Sequence, residues 1–551
     1  MTTTSATKRR PRGRARTRLL ALGAVVVATG TTLAACSSST TNGTAGGASG
    51  RVLLVGTYQG HAGQYRTIQA AVDAARRGDW ILVAPGDYHE DDDLTHPPGD
   101  GARDSGDFGG VVIATSDVHL RGMNRASVIV DGTRAGASPC SPDPADQVLG
   151  DTDNGKAIGR NGIVVWKADD VSVENLTACN FLAGTGSSGN EIWWNGGDDS
   201  GTIGLHRYRG QYLTATSTYY GGETTAAQYG IFASNSAGAG SWNELYASNF
   251  NDSGMYVGAC VQQCDVTIDH SWMEYDALGY SGTNSGGAVV IENSQFDNNE
   301  DGLDTNTQID GDPPAPQNGD CPDGAVSPIT HTRSCWVFIH NSVHDNNNPN
   351  VPAAGSAAAG PVGTGMTVSG GTNDTVMDNT FSNNGAWGVL FVPYPDDNPP
   401  VMHQTCAGTG GNELSGFGCV YDDKGDALLD NTFTHDGYDA NPSNGDYGQI
   451  VITGGSARNC FAGNNAPDGS TPSDLEQSQP TCNGTAAVSN TGGSLLAQVL
   501  CDTGFGTCPA GANYPKPTGV VMHPLPTTLP SMPNPCAGVP ANAWCPGGRP
   551  A

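Results

Sequence analysis

Charge is scarce in this 551-residue chain: Asp, Glu, Lys and Arg together make up 15% of it, with aromatics at 7% and the apolar set at 37%. Basic residues are the scarcest part, 25 Lys and Arg against 55 Asp and Glu. Seven of those 25, Lys8 to Arg18, precede an apolar run near the N-terminus, so the chain beyond residue 36 keeps 18 basic and 55 acidic residues, a formal charge of −37. So acidic a surface repels phosphate backbones and excludes nucleic acid as a partner. Heptads and sustained helical periodicity are lacking, which excludes coiled coils and helical bundles. What is abundant is Gly (78) and Pro (34), without a three-residue period. That excludes collagen and leaves a turn-dense all-β chain or disorder.

Residues 1–36 read as a secretory signal: a cationic segment to Arg18, an apolar stretch from Leu19 to about Ala28, then Leu33-Ala34-Ala35-Cys36. The Leu-Ala-Ala-Cys ending resembles the lipobox of bacterial lipoproteins. It implies lipidation at Cys36 and attachment to the outer face of the cell membrane. The Ser/Thr/Gly-rich residues 37–50 read as a tether. Setting Cys36 aside leaves 14 cysteines, an even number, in a segment expected outside the cytoplasm, where disulfides are the default. Cys260 with Cys264 and Cys321 with Cys335 are the local candidate pairs, and five more cysteines crowd into the last 70 residues.

From Thr67 to Arg77, Ile68, Ala71, Val72 and Ala75 recur at i, i+3, i+4, i+7, predicting an amphipathic helix stopped by Gly78-Asp79. Val52–Val55 and Trp80–Ala84 read as strands. Beyond residue 110, short β-rich runs return behind Gly230, Gly254, Gly279, Gly302, Gly365 and Gly388, at steps of 24, 25, 23, 63 and 23 residues. In phase with them run Asn293, Asn341, Asn379 and Asn431, followed by the pairs Asn298-Asn299, Asn346-Asn347 and Asn383-Asn384. A period of 20–25 residues with several short strands per unit predicts a β-solenoid. Asn suits its bends, tolerating left-handed backbone and bonding to its counterpart one coil away.

The stretches Thr67-Ile-Gln-Ala-Ala-Val…Val83-Ala-Pro-Gly-Asp-Tyr88 and Val118-His-Leu-Arg-Gly-Met-Asn124…Val128-Ile-Val-Asp-Gly132 resemble the start of the right-handed parallel β-helix in the pectate-lyase superfamily. The coils from Gly162 to about Gly463 are similar to the β-helix repeat of many secreted bacterial proteins, several of them lipoproteins of unassigned function. The resemblance spans roughly residues 65–465. It implies an all-β right-handed parallel β-helix of about ten coils with an N-terminal capping helix. It leaves activity open, since this fold hosts lyases, hydrolases, esterases, epimerases, adhesins and inert scaffolds. Residues 466–551, rich in Pro, Gly and Cys, read as a disulfide-stapled tail wrapped on the helix flank.

Counting from each Gly, positions +1 and +3 are expected in the core (Met255, Val257, Leu303, Thr305, Met366, Val368) and +2 on the outside as a column: Phe232, Tyr256, Ser281, Asp304, Thr367, Leu390. Asp276, Glu300, Asp301 and Asp304 are the candidate catalytic carboxylates. Glu300-Asp-Gly-Leu-Asp304 resembles the acidic stretch that holds Ca²⁺ in one family of β-helical pectate lyases, making Asp301 and Asp304 candidate calcium ligands. That family's basic residue would fall at Thr367, which cannot serve as the base, so a lyase is disfavoured. Trp193 and Trp194, expected on a loop, with Tyr256 and Asn306, are candidate carbohydrate contacts. The expected function is binding of polysaccharide or cell-envelope glycan by a lipid-anchored protein without turnover. The alternatives are a glycoside hydrolase or lyase using the acidic cluster, and a structural or metal-handling accessory protein.

Overall fold

The computed structural model describes residues 50–551 apart from 92–108, 187, 198–202, 261–263, 284, 307–326, 328–330, 332–333, 335, 353–359, 397–405, 407–410, 415–417, 440, 453–458, 482–492, 503–505, 513, 527 and 549–551. Residues 1–49 lie outside it, and with them Cys36; Cys321 and Cys335 do too.

The chain winds as a right-handed parallel β-helix, three strands to a full coil. Val266–Asp269, Trp272–Glu274 and Leu278–Thr283 make one coil. The next repeats it as Val289–Glu292, Gln295–Asp297 and Asp301–Asn306, in parallel register (Val266↔Val289, Trp272↔Gln295, Ser281↔Asp304). The third strands stack into a sheet of eleven, from Val111–Ile113 to Ser470–Thr471, in strict chain order. The first and second strands form the other faces, sharing one 20-stranded ladder system.

Inside, one side-chain-wide core runs the length of the coils. Met255, Val257, Leu303, Thr305, Met366 and Val368 are all fully buried, as the count from each Gly predicts. The bends divide between two residues the work that the sequence reading gave to Asn alone. The first takes left-handed backbone: Tyr275, Asn298, Asp345, Asn383 and His435 all have φ between 56° and 63°. The next turns inward as a ladder. Asp276 accepts from Phe250 N–H (2.7 Å), Asn299 from Asp276 N–H (2.9 Å), Asn346 from Asn299 N–H (3.2 Å), Asn384 from Asn346 N–H (3.2 Å) and Asp436 from Asn384 N–H (3.0 Å). A second ladder at the other bend links Ser271, Ser294, Asn341, Asn379, Asn431 and Asn464. These bonds satisfy backbone donors that the bends remove from the sheets.

The periodic glycines belong to the same contact. A Cβ on Gly254 would stand 2.2 Å from Asp276 Oδ2, and one on Gly279, Gly302 or Gly365 would stand 2.8–3.0 Å from the Nδ2 of Asn299, Asn346 or Asn384. The Gly series and the Asn series are thus two sides of one joint, and only Gly leaves it room.

Helix α1 (Ile68–Ala74), N-capped by Thr67, buries Ile68, Ala71 and Val72 on the first coils. It stops one residue short of the expected face, with Ala75 as its C-cap. At the far end, α2 (Leu475–Ser478) seats Leu475 on the core, and Glu476 takes the last ladder N–H, from Asn464 (3.0 Å). Helix α3 (Gly493–Asp502) lays Leu495 over Leu390 and Ile450.

The tail then runs back along the bends toward the N-terminal coils. Val521 bonds Asn350, His523 stacks on Tyr275 (3.7 Å between rings) and bonds Asn249, and Met532 bonds Asn175. Pro530 accepts from Arg125, Pro535 and Ala537 accept from Arg121, and Trp544 donates to the His61 carbonyl. Disulfides close Cys140–Cys179, Cys260–Cys264, Cys406–Cys419, Cys501–Cys508 and Cys536–Cys545. Among the described residues no helix is long and apolar enough to cross a membrane.

Candidate functional site

The column read from the sequence, Phe232, Tyr256, Ser281, Asp304, Thr367 and Leu390, is in register from coil to coil, and Trp193 extends it by one coil. Its expected exposure does not hold throughout, since Ser281 and Thr367 are buried and Leu390 lies fully buried against Leu495. Its N-terminal half is aromatic. Trp193 stacks on Phe232 (5.2 Å, 7° between planes), and Phe232 meets Tyr256 edge-on (4.8 Å). Tyr229, which the sequence reading missed, closes the cluster at 4.7 Å from Phe232 and 5.2 Å from Tyr256. Phe232 and Tyr229 are half-buried, while Trp193 and Tyr256 are 5% and 8% exposed. Trp193 Nε1 donates to Ser234 Oγ (2.9 Å), and Tyr256 OH donates to the Thr283 carbonyl (3.2 Å).

Trp194 corrects the expectation of a paired surface. The two tryptophans lie on the strand Asn190–Asn195 and not on a loop, so they leave opposite faces. Trp194 is fully buried, 5.4 Å from Trp242 and 6.0 Å from Tyr208.

The acidic half of the column is tied up internally. Asp304 accepts from Ser369 Oγ (2.7 Å) at one oxygen and from Asn306 Nδ2 (2.8 Å) at the other. Asp301, 2% exposed, accepts from Thr364 N–H (3.2 Å), and Glu300 is 7% exposed. Asp276 corrects the expectation of an outward carboxylate: it is a ladder residue with no exposed surface. Burial holds its carboxyl well above the usual carboxylate range. Asp301 and Asp304 share no close three-ligand grouping among the described residues; the groupings found are Asp131–Cys140–Cys179, whose cysteines are bonded to each other, and Asp87–His89–Asp131.

One strand-entry acid outside the four catalytic candidates does stand on this face. Asp252 accepts from Tyr229 OH (2.9 Å); desolvation first, then the charge of Asp304, push it up to about 6.

On the first face lies a second feature, a cleft of about 620 Å³ floored by Trp80, His119, Arg121, Glu174 and Arg209 and walled by the tail from Met532 to Gly538. Arg121 packs over the Trp80 ring (4.6 Å), pairs with Glu174 (2.6 Å) and donates to the tail carbonyls. His119 lies against Trp80 (4.4 Å between rings), and burial holds it below its usual pKa. Arg207 pairs with Asp170 at 2.6 and 2.7 Å. Arg209, with half its side chain exposed, comes no nearer than 4.0 Å to Glu174. In so acidic a chain this gathering of guanidinium groups is unusual. No local motif announces it, because its floor comes from four coils and its wall from a segment some 400 residues away.

No protein-family model matches the sequence, and no curated protein matches it. Solved structures similar in fold include the A-module of an Azotobacter vinelandii mannuronan C-5 epimerase, AlgE4 (12% identity, 72% of this chain and 90% of that one, TM-score 0.37). Pectate lyase Pel9A is similar at 13% identity over 87% of this chain and 90% of its own (TM-score 0.35). Pectin methylesterase PemA from Erwinia chrysanthemi is similar at 10% over 72% and 92% (TM-score 0.31). Likeness at this level says nothing about chemistry.

Proposed function

We propose that this protein binds polysaccharide along the outer face of its third strands without turning it over, at the cell surface, held by lipid on Cys36. The observation that carries the binding is the Trp193–Tyr229–Phe232–Tyr256 cluster continuing into Ser281, Asp304 and Thr367. Successive coils are spaced at ~4.8 Å, so apolar ring faces and hydroxyl partners recur along one line. That mix suits a sugar ring, which offers an apolar face and an equatorial rim of hydroxyls.

The lack of turnover rests on the carboxylates. Hydrolysis by an acid–base pair needs two of them converging on one bond. Asp276 lies in the ladder, Asp301 on Thr364 N–H, and Asp304 between Ser369 and Asn306. The five described disulfides favour an oxidising compartment. Attachment to the membrane rests on Leu33–Cys36 alone. Turnover is the second reading, favoured by Asp252: it stands on the same face, and its carboxyl is pushed up by burial and then by the charge of Asp304, which suits a proton donor.

The test incubates residues 37–551 with acidic and neutral glycans, with and without Ca²⁺. The expected result is retarded migration in glycan-loaded gels with no new reducing ends and no unsaturated products. Products that disappear in Asp304→Ala or Asp252→Asn would instead establish the enzyme.

A further inference from the structure

Away from both faces just described, three potential metal ligands meet between two adjacent N-terminal coils. The strand Gly86–Tyr88 pairs with Val128–Asp131, so His89, one residue past the strand, stands over Asp131. Ligand atoms of Asp87, His89 and Asp131 all lie within 4.8 Å of one another. The tautomer of His89 is the informative point. Its Nδ1 sits 2.7 Å from the Thr133 carbonyl oxygen, which only accepts, so Nδ1 carries a proton. In the neutral ring Nε2 is then a lone pair, and it points at Asp87 Oδ2, 3.0 Å away. Two acceptors at that distance repel unless something positive lies between them. Asp87 Oδ1 is also buried with no hydrogen-bond partner.

The surroundings hold these groups in place. Asp131 is fully buried and accepts from Thr133 N–H (2.8 Å) and Cys140 N–H (2.6 Å). Cys140 is fixed by its disulfide to Cys179, which is the register neighbour of Asp131 on the following coil. A His that donates Nδ1–H to a backbone carbonyl and turns Nε2 toward carboxylates, themselves oriented by N–H groups, is the usual second-sphere arrangement of a metal ligand.

We propose that Asp87, His89 and Asp131 form a site for a divalent transition ion of the zinc class, pinning the second coil to the third. Two carboxylates and a neutral imidazole offset the 2+ charge. The nitrogen ligand selects zinc-like ions over Ca²⁺ and Mg²⁺, which take oxygen. Rotamer shifts of about an ångström bring the three groups to zinc bond lengths of ~2.0–2.2 Å, leaving a fourth tetrahedral position to water. Asp87 and His89 keep 24% and 14% of their side-chain surface exposed, so the ion can enter from solvent.

The test uses the full-length protein in detergent, stripped with a chelator and titrated with Zn²⁺, Co²⁺ and Ca²⁺. Expected are one Zn²⁺ per chain, one Co²⁺ taken up by the stripped protein with a tetrahedral d–d absorption that is free of thiolate charge-transfer bands and is lost on adding Zn²⁺, and no response to Ca²⁺. His89→Gln and Asp87→Asn should each weaken Zn²⁺ binding by about tenfold or more. Circular dichroism of the metal-free variants, unchanged from the parent's, separates loss of the site from loss of the fold. A parent that takes up neither Zn²⁺ nor Co²⁺, leaving the pair held by a proton, overturns the proposal. So do a thiolate band on Co²⁺ loading and unchanged affinity in either folded variant.

Discussion

The Oδ1 atom of Asp436 accepts both the backbone N–H (3.0 Å) and the side-chain NH₂ (2.9 Å) of Asn384, closing the inner ladder with a carboxyl where its neighbours carry an amide. Its other oxygen is buried without a hydrogen-bond partner, and burial pushes the group up to about 7. Unfolded, it titrates near 3.9. The folded state therefore holds the proton more tightly: its contribution is complete below about pH 4 and is lost as pH rises toward 7. Asp426 is likewise pushed up to about 7, chiefly by burial, and burial also raises Asp276 and Asp423 well above the usual carboxylate range. Stability should thus fall between pH 4 and 8, by roughly 4 kcal/mol for Asp436 alone. Asp436→Asn should raise Tm at pH 8 and leave it nearly unchanged at pH 4, as read by thermal melts across that range.

Phe232 touches Trp193, Tyr229 and Tyr256 at once, so its removal breaks the aromatic line at its centre. Phe232→Ala should weaken glycan retention by about 1–2 kcal/mol, tenfold or a little more. Trp194→Ala behaves differently. It opens a core cavity and should cost about 3–5 kcal/mol of stability, lowering Tm without a specific effect on retention. Affinity electrophoresis beside melting curves separates the two.

The cleft offers a second contact, separate from the proposed binding face: Arg209, half exposed and with only a 4.0 Å approach to Glu174, should hold a carboxylate-bearing sugar there. Arg209→Ala should reduce retention on a uronate polymer several-fold and leave retention on a neutral glucan unchanged. Raising salt should erase the difference. Equal loss on both polymers would remove the cleft from the binding surface.

Arg125 is 2% exposed and donates to Leu213 O, Thr214 Oγ1 (2.7 Å) and Pro530 O (2.9 Å); burial lowers its pKa to about 10. Arg125→Ala should destabilise the fold by about 3 kcal/mol, through lost packing and unpaired carbonyls. It should also loosen the tail, so that limited proteolysis between 518 and 535 speeds up while the ladder region stays protected.

The periodic part of this fold was open to reading because a solenoid repeats its register. Gly254, Gly279 and Gly302 mark the same joint on successive coils, and counting from them places Tyr256, Ser281 and Asp304 in one line. Parity decided what was read less well. The Gly-rich sequence after Trp194 pointed to a loop, yet a strand separates the pair. Asp276 lies just before a strand, a place where the spacing predicts an outward acid. The inward turn of the residue after a left-handed bend becomes visible only when Asp276 is aligned with Asn299 and Asn346. The cleft and the His89 cluster join residues from separate coils, where no spacing rule applies.

The tail also sets an order in time. Arg121 and Arg125 are made 414 and 405 residues before the carbonyls of Pro535 and Pro530 that they bond. The coils that leave the ribosome first are therefore finished last, when the returning segment docks. Until then Arg121 and Arg125 hold only their partners on the coils and lack the tail carbonyls, a long window in which a helper protein or an early proteolytic cut can decide the chain's fate.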